Sequence, residues 1–178
     1  MAYWFQHRVC DQPTAGDSCV PPCGSMPTMD LDALKLILVP TDFSEVSAAA
    51  LQVAVRLAQT FHSAIEVFHV DIDPTLVLPP PLGAISMPVL FERVLAGTDE
   101  RLERLVAEVR KFGVACSSAE ELGRSHTAIV ERAHLVGAGL IVMGSHGRHG
   151  LSHALLGSVA EKVVEHASCA VLVVPVSR

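Results

Sequence analysis

Short apolar runs alternate with segments of helical periodicity from Lys35 to the end of the chain, and this alternation limits the possible folds. Each apolar run has the length of a buried strand, and the first four are each followed by an amphipathic segment. Such alternation predicts parallel strands covered by helices on both faces of one sheet. The expected strands are Leu36–Val39, Ile65–Val70, Val114–Glu121, Leu140–Met143 and Ala170–Val174.

Four helices are expected between these strands, which gives a single doubly wound α/β domain. Ser44 is a suitable N-cap for the first helix and Ser125 for the third. The second helix is predicted over roughly 89–112, and the last from about Ser152 to His166. The proline-rich segment before the second helix, Asp71 to Met87, is expected to be a long irregular connection that forms a flexible flap.

Residues 1–33 differ from this pattern because they are rich in proline and cysteine and show no periodicity. They predict a poorly ordered extension ahead of a domain at 34–178. Met26 and Met29 lie just before the ordered pattern, so a translation start at either is a hypothesis that the intact mass of natively expressed protein can check. No apolar run approaches the ~20 residues of a spanning helix, and the N-terminus lacks a secretory apolar segment.

The net charge and the number of cysteines argue against two classes of protein, nucleic-acid-binding proteins and secreted disulfide-rich domains. The net charge is −6 with only 13 Lys and Arg residues and no basic stripe, which argues against nucleic-acid binding. The five cysteines are odd in number and unevenly spread, so they do not form the disulfide framework of a secreted domain, and we expect a cytoplasmic protein. Cys116 and Cys169 are interpreted as small buried hydrophobes.

A glycine-punctuated loop follows the fourth strand and carries the main functional signal. Gly144, Gly147 and Gly157 precede Ser158 at a strand-to-helix transition, where backbone N–H groups and the helix dipole favour an anion such as phosphate. The spacing G-x2-G-x9-G-S matches neither the P-loop nor the dinucleotide fingerprint. Ligands of doubly wound sheets bind where strand order reverses. Asp42, at the end of the first strand, is therefore expected to face the loop if these strands are neighbours.

Several alternatives stand beside this interpretation. Asp42 is about equally well explained as a turn residue ahead of the first helix. His146, His149 and His153 form a weak candidate metal set, because zinc needs three or four converging ligands, and a second weak set lies in the N-terminal segment at His7, Cys10, Cys19 and Cys23. His69 is interpreted as a hydrogen-bonded core residue. No paired nucleophile and base lies near the loop, so no catalytic residues are assigned.

The chain resembles the universal stress protein family, in its ATP-binding form, from Lys35 to Val176. The motifs that carry the resemblance are L-I-L-V-P-T-D-F-S at Leu36–Ser44, F-H-V-D at Phe68–Asp71, L-I-V-M-G-S-H-G-R at Leu140–Arg148, L-L-G-S-V-A-E-K-V at Leu155–Val163 and A-V-L-V-V-P-V at 170–176. The resemblance implies strand order 3-2-1-4-5, an adenine nucleotide as ligand, and a homodimer paired through strand five. It also implies ATP with Mg²⁺ held largely by the phosphates.

The resemblance also implies roles for particular residues. Asp42 is expected to contact the adenosine, Val70 the adenine through its backbone, and Gly123 to leave room beside the ligand. Arg148 is expected near the phosphates. Many relatives have a basic residue where His153 stands. Because a histidine side chain titrates near neutral pH, phosphate affinity is expected to depend on pH. The full expected site is Pro40, Thr41, Asp42, Val70, Gly123, Met143, Gly144, His146, Gly147, Arg148, Gly157, Ser158 and Val159.

These inferences combine into one expected function. The chain is predicted to be a cytoplasmic, ATP-binding, homodimeric stress-response module with at most slow ATP hydrolysis and with no nucleic-acid or membrane partner. The alternatives are a nucleotide-independent dimeric scaffold and a weak ATPase.

Overall fold

A computed structural model describes residues 34–71, 87–146 and 156–175, which form five strands and four helices. The predicted N-terminal extension, the proline-rich connection and residues 147–155 of the glycine loop lie outside the described residues. In chain order the elements are β1 (Leu36–Thr41), α1 (Glu45–Phe61), β2 (Ala64–Asp71), α2 (Met87–Arg110), β3 (Cys116–Leu122), α3 (Ser125–Leu135), β4 (Leu140–Gly144), α4 (Ser158–His166) and β5 (Ala170–Val174).

The five strands form one parallel sheet in the order β3-β2-β1-β4-β5, which confirms the predicted fold class and strand order. β1 lies at the centre, between β2 and β4. Its register places Ile37 opposite Leu140 and Leu38 opposite Ile141. The chain therefore reverses its direction of strand addition between β1 and β4, and their carboxyl ends meet at the same edge of the sheet.

Two apolar cores cover the two faces of this sheet, as the alternation predicts. One core packs α1 and α2 against residues such as Ile37, Val67 and Val142. The other packs α3 and α4 against residues such as Leu38, Phe68 and Ile141. Neighbouring residues of β1 enter opposite cores because side chains alternate across a strand. Among the described residues, no helix is long and apolar enough to cross a membrane.

Several predicted boundaries differ from the structure. β1 extends to Thr41 and β3 begins at Cys116, and three helix boundaries differ for local reasons. The helix that ends at His166 begins at Ser158 rather than near Ser152, because Gly157 is extended and caps the helix. Ser125 is the first residue of α3 and not its cap; the cap position is taken by Arg124, which makes no capping hydrogen bond. α2 ends at Arg110 rather than Phe112, since residues 111–113 turn toward β3, with Gly113 at φ 76°.

Candidate functional site

The carboxyl end of β1 passes directly into the N-terminus of α1 through a hydrogen-bonded turn. Asp42 Oδ1 accepts hydrogen bonds from the backbone N–H of Ser44 at 3.0 Å and from its hydroxyl at 2.6 Å. Ser44 caps α1 as predicted, because its hydroxyl oxygen accepts from the N–H of Ser47. Asp42 thus performs the turn role that the sequence left open, and its role toward a ligand stays a prediction.

The end of β4 lies unusually close to the first turn of α1. A Cβ built on Gly144 would lie 2.8 Å from Cγ1 of Val46 and 3.4 Å from the carbonyl oxygen of His146. Real side chains do not pack this closely, so glycine at this position permits α1 to cross the strand end. The sequence explained Gly144 by approach to phosphate, and the structure adds a packing requirement that holds without any ligand.

A hydrogen bond joins the two ends of the glycine loop. The N–H of Gly157 donates to the carbonyl oxygen of Ser145 at 2.8 Å, and the N–H of Ser145 donates to Val174 in β5. A Cβ on Gly157 would lie 2.9 Å from the same Ser145 oxygen. The start of α4 is therefore held against the end of β4 by backbone contacts that leave no space for a side chain.

The N-terminus of α4 is built without a side-chain cap. Gly157 occupies the cap position in an extended conformation and supplies no side-chain acceptor. The N–H groups in the first turn of a helix have no acceptor within the helix. In α4 these belong to Ser158, which is exposed, and to Val159 and Ala160. This helix end has the geometry that favours an anion.

The structure brings most of the predicted site residues to one edge of the sheet. Thr41 and Asp42 end β1, Met143 and Gly144 end β4, and Gly157 opens α4 beside them. Pro40 lies one residue earlier in β1, opposite Phe68. Val70 lies at the end of β2, and Gly123 follows β3 with open space at its Cβ position.

The remaining predicted residues divide into two groups. His146 is described, and its Nδ1 lies 3.2 Å from the Ser145 hydroxyl. Gly147 and Arg148 lie outside the described residues, as do two of the three histidines in the candidate metal set. Within 34–71, 87–146 and 156–175, no group of three or more His, Cys, Asp or Glu side chains is arranged to hold a metal ion.

A polar cluster lies directly behind the β1 end, on the α1 and α2 side of the sheet. His69 Nδ1 lies 2.6 Å from the Thr41 carbonyl oxygen, and its Nε2 lies 3.2 Å from Asp71 Oδ1. His69 is only 7% exposed, which confirms its interpretation as a hydrogen-bonded core residue. Its ring also packs against Phe43, with centroids 4.6 Å apart.

Asp71 and Glu120 complete this cluster, and sequence reasoning missed both. β2 and β3 pair so that His69 lies opposite Glu120, which brings the three side chains to one face. Burial raises the pKa of the Glu120 carboxyl, Asp99 and Asp71 raise it further, and His69 opposes them. The period-two spacing of His69 and Asp71, which places both side chains on one face of a mostly apolar strand, was the available signal.

The described cysteines behave as the sequence predicts for inert thiols. Cys116 is buried, and burial raises the pKa of its thiol to about 11. Burial also raises the pKa of the half-buried Cys169 thiol. Raised thiol pKa values lower the fraction of reactive thiolate, which argues against a redox-sensor role.

Comparison with known proteins agrees with this architecture. The model of the universal stress protein family matches residues 34–175. Universal stress protein MJ0531 of Methanocaldococcus jannaschii is 36% identical over 141 residues, covering 79% of this chain and 81% of the relative. The solved structure of MJ0577, from the same organism, superposes with a TM-score of 0.71 at 28% identity, covering 82% of this chain and 99% of that one.

Two more distant structures share the fold and were solved with ligands. A universal stress protein in complex with cAMP has a TM-score of 0.60 at 23% identity and covers 81% of this chain and 98% of its own. The universal stress protein from Archaeoglobus fulgidus in complex with dAMP has a TM-score of 0.55 at 23% identity, covering 79% and 97%. Because the family model matches the whole range of described residues and a relative at 36% identity covers most of the chain, this chain belongs to the universal stress protein family.

Proposed function

We propose that this chain binds an adenine nucleotide, with ATP and its Mg²⁺ as the expected form, at the edge where β1 and β4 end. The nucleotide acts as a signal: its binding favours one conformation or partner of the protein over another. The module is expected to work in the cytoplasm as part of a stress response. As the family resemblance implies, the phosphates are proposed to supply most of the Mg²⁺ coordination.

The observation that carries this proposal is the position of the α4 N-terminus beside the switch point of the sheet. The hydrogen bond from Gly157 to Ser145 holds the uncapped end of α4 at the carboxyl end of β4. β1 ends next to it with Thr41 and Asp42. A phosphate site and a polar group suited to a ribose or base are therefore adjacent. The cAMP and dAMP complexes of related folds support an adenine nucleotide as the ligand class.

We propose individual roles that the family resemblance implies and that the position of these residues at the sheet edge supports. Asp42 accepts hydrogen bonds from the adenosine, and the Val70 backbone meets the adenine. The first-turn N–H groups of Ser158 and Val159 bind phosphate, with the glycine loop and Arg148 around it. Positioning and neutralising phosphates is only part of what phosphoryl transfer requires. We therefore propose at most slow ATP hydrolysis, with no dedicated catalytic residue.

The most direct experiment is to denature the purified full chain and identify any nucleotide that is released. The proposal expects an adenine nucleotide in the released fraction, or a rise in the unfolding temperature when ATP and Mg²⁺ are added, because a ligand of the native state stabilises it. A protein that releases no nucleotide and shows no thermal shift with ATP, cAMP or dAMP would favour a nucleotide-independent scaffold.

Asp42→Asn tests the adenosine contact without removing the turn. An amide oxygen can still accept the two hydrogen bonds from Ser44, so the free energy of unfolding should change by less than about 1 kcal/mol. Nucleotide affinity should fall about tenfold, since a hydrogen bond to a charged acceptor is lost. Isothermal titration calorimetry measures this, with exposed Glu131→Gln as the charge-matched control. Equal affinity in both variants would remove Asp42 from the site.

A dimeric scaffold is the second candidate, and the edge strand β5 favours a dimer under either function. β5 pairs only with β4 in the described sheet, and its sequence AVLVV carries no charge. Ala170 is exposed, and Leu172 is 37% exposed. An uncharged apolar edge strand is a template for pairing with a second copy. We propose that two chains associate through β5.

A further inference from the structure

Both ring nitrogens of His69 face oxygen atoms that are normally hydrogen-bond acceptors. Nδ1 lies 2.6 Å from the carbonyl oxygen of Thr41, which has no proton to donate. Nε2 lies 3.2 Å from Asp71 Oδ1. A neutral imidazole carries one N–H and can satisfy only one of these acceptors. The second contact requires another proton, either on the ring or on the carboxyl group of Asp71.

Two more acceptors in the same cluster are buried without a partner. Oδ2 of Asp71 and Oε2 of Glu120 are each shielded from solvent, and neither has a hydrogen-bond partner among the described residues. Asp71 as a whole is only 9% exposed. Buried polar atoms usually have a partner, and leaving them unsatisfied is costly. A proton on either carboxyl group would remove its negative charge and so lower the cost of burying that oxygen without a partner.

The charges around the cluster also favour an additional proton. Asp71 and His69 come from β2, Glu120 from β3 and the exposed Asp99 from α2. Arg101 of α2 stacks its guanidinium on the Phe43 ring, 3.9 Å from the centroid, and the Phe43 ring also packs against His69. Burial and the charges of Asp99 and Asp71 raise the pKa of the Glu120 carboxyl, and His69 lowers it, so the neighbouring carboxylates favour a proton on Glu120.

We propose that His69, Asp71 and Glu120 hold a shared proton in the folded chain at neutral pH, and that this proton positions the Thr41 end of β1. The three residues are named the proton cluster. While the proton is present, His69 can bond Thr41 and Asp71 together. When the proton leaves, His69 can keep only one of its two hydrogen bonds, to Thr41 or to Asp71. The end of β1, which leads into Asp42, is then held less firmly. His69 is thus a positioning residue for the edge of the sheet.

The expected effect of the proton on ligand affinity rests on the proposed nucleotide site, whereas the presence of the proton in the cluster does not depend on that site. Proton loss at higher pH should loosen the segment from Thr41 to Ser44 and weaken adenosine binding there. The expected change is about fivefold in affinity, the worth of one net hydrogen bond. Adenosine is the appropriate probe because it carries no phosphate, so the histidines of the glycine loop do not contribute.

The first experiment counts protons in the ligand-free full chain. Nitrogen-15 shifts of the His69 ring and carbon-13 shifts of the Asp71 and Glu120 carboxyl groups are followed by NMR from about pH 5 to about pH 9. We expect one proton, in addition to the one on Nδ1, to remain on the cluster at pH 7. A neutral His69 with both carboxyl groups ionised at pH 7 would overturn the proposal. This readout needs no variant and therefore no assumption about folding.

The second experiment replaces the shared proton with a permanent donor. Asp71→Asn can present an amide N–H to Nε2 of His69 in place of the shared proton, while Glu121→Gln makes a comparable carboxyl-to-amide change at an exposed position on the opposite face of β3 from Glu120. Adenosine affinity of the natural protein and of Glu121→Gln should fall about fivefold between pH 6 and pH 8. That of Asp71→Asn should change by less than about twofold. Identical pH profiles in the two variants would contradict the coupling.

The two experiments separate the two proposals. Absence of adenosine binding at every pH, together with a proton found by NMR, overturns the nucleotide function and leaves the cluster in place. Adenosine binding with no extra proton at pH 7 overturns the cluster and leaves the function.

Discussion

At the scale of single residues, Gly144 shows how one position can serve packing and a ligand at once. Because Gly144 has no side chain, Val46 can pack against its backbone. A Cβ at this position would lie only 2.8 Å from Cγ1 of Val46. Gly123, which was also assigned to the site, has open space at the same position. The two glycines look alike in the sequence, yet only the first is required by the described structure.

Gly144→Ala should therefore lower the free energy of unfolding by about 1–3 kcal/mol, the usual cost of overpacking. Val46→Ala in the same chain removes the clashing methyl group and should restore part of that loss. Gly123→Ala is the matched control and should stay within about 0.5 kcal/mol of the natural protein. Urea unfolding followed by circular dichroism measures all four proteins. If Gly144→Ala and Gly123→Ala are equally stable, α1 shifts to accept the added methyl group at position 144.

At the scale of elements, a buried ion pair joins α3 to β2. Arg132 donates two hydrogen bonds to Glu66, from Nε at 2.7 Å and from the guanidinium nitrogen at 2.9 Å. The Glu66 side chain is only 9% exposed, and hydrogen bonding to it raises the pKa of Arg132. This pair spans 66 residues of sequence and links a helix to a strand that is not its chain neighbour.

Arg132→Met should cost about 3 kcal/mol, because it leaves the Glu66 carboxylate buried without a counter-charge. The exposed Lys111–Glu108 pair at the C-terminal end of α2 provides the comparison. Lys111→Met should cost less than about 1 kcal/mol, as is usual for surface pairs. Thermal and urea unfolding of the two variants give the difference, and a cost for Arg132→Met no larger than for Lys111→Met would refute the structural role of the ion pair.

The ranges of helices and strands could be predicted from the sequence where a single signal, such as an apolar run, was strong. They were predicted less well where the apolar pattern and a backbone contact gave different boundaries. The buried strands follow from apolar runs, and β5 matches its predicted range because Pro175 ends it. The start of α4 was misplaced because the apolar period continues upstream of Gly157, while the hydrogen bond to Ser145 decides the cap. The proton cluster depends on the β2–β3 register, which places Glu120 opposite His69, and no local pattern in a single sequence reports that pairing.

At the scale of the whole molecule, the unpaired edge of the described sheet at β5 leads us to expect a dimer that forms through this strand. β3 forms the other edge, and it carries Glu120 and Glu121, which oppose pairing with a second strand. The uncharged β5 has no such protection. The asymmetry between the two edges favours a closed pair of chains over an open filament, because a two-fold contact uses the same surface on both partners.

Leu172→Lys places a charge on this edge and should convert a dimer into a monomer. Leu135→Lys is the matched control, since Leu135 is 76% exposed and belongs to α3 and not to the sheet edge. Analytical ultracentrifugation across a tenfold range of concentration distinguishes the two. The natural protein and Leu135→Lys are expected to sediment as dimers, and the β5 variant as a monomer. A dimer that survives Leu172→Lys would direct the search to another surface.

The contact between Ser145 and Gly157 has a consequence for how such a chain can change during evolution. Because a backbone hydrogen bond joins Ser145 to Gly157, the two flanking elements share a contact that uses no side chain of the segment between them. Closing a somewhat longer loop adds little entropic cost. We therefore expect relatives to differ in the length and sequence of this segment, and in ligand preference, while the sheet and α4 keep their places.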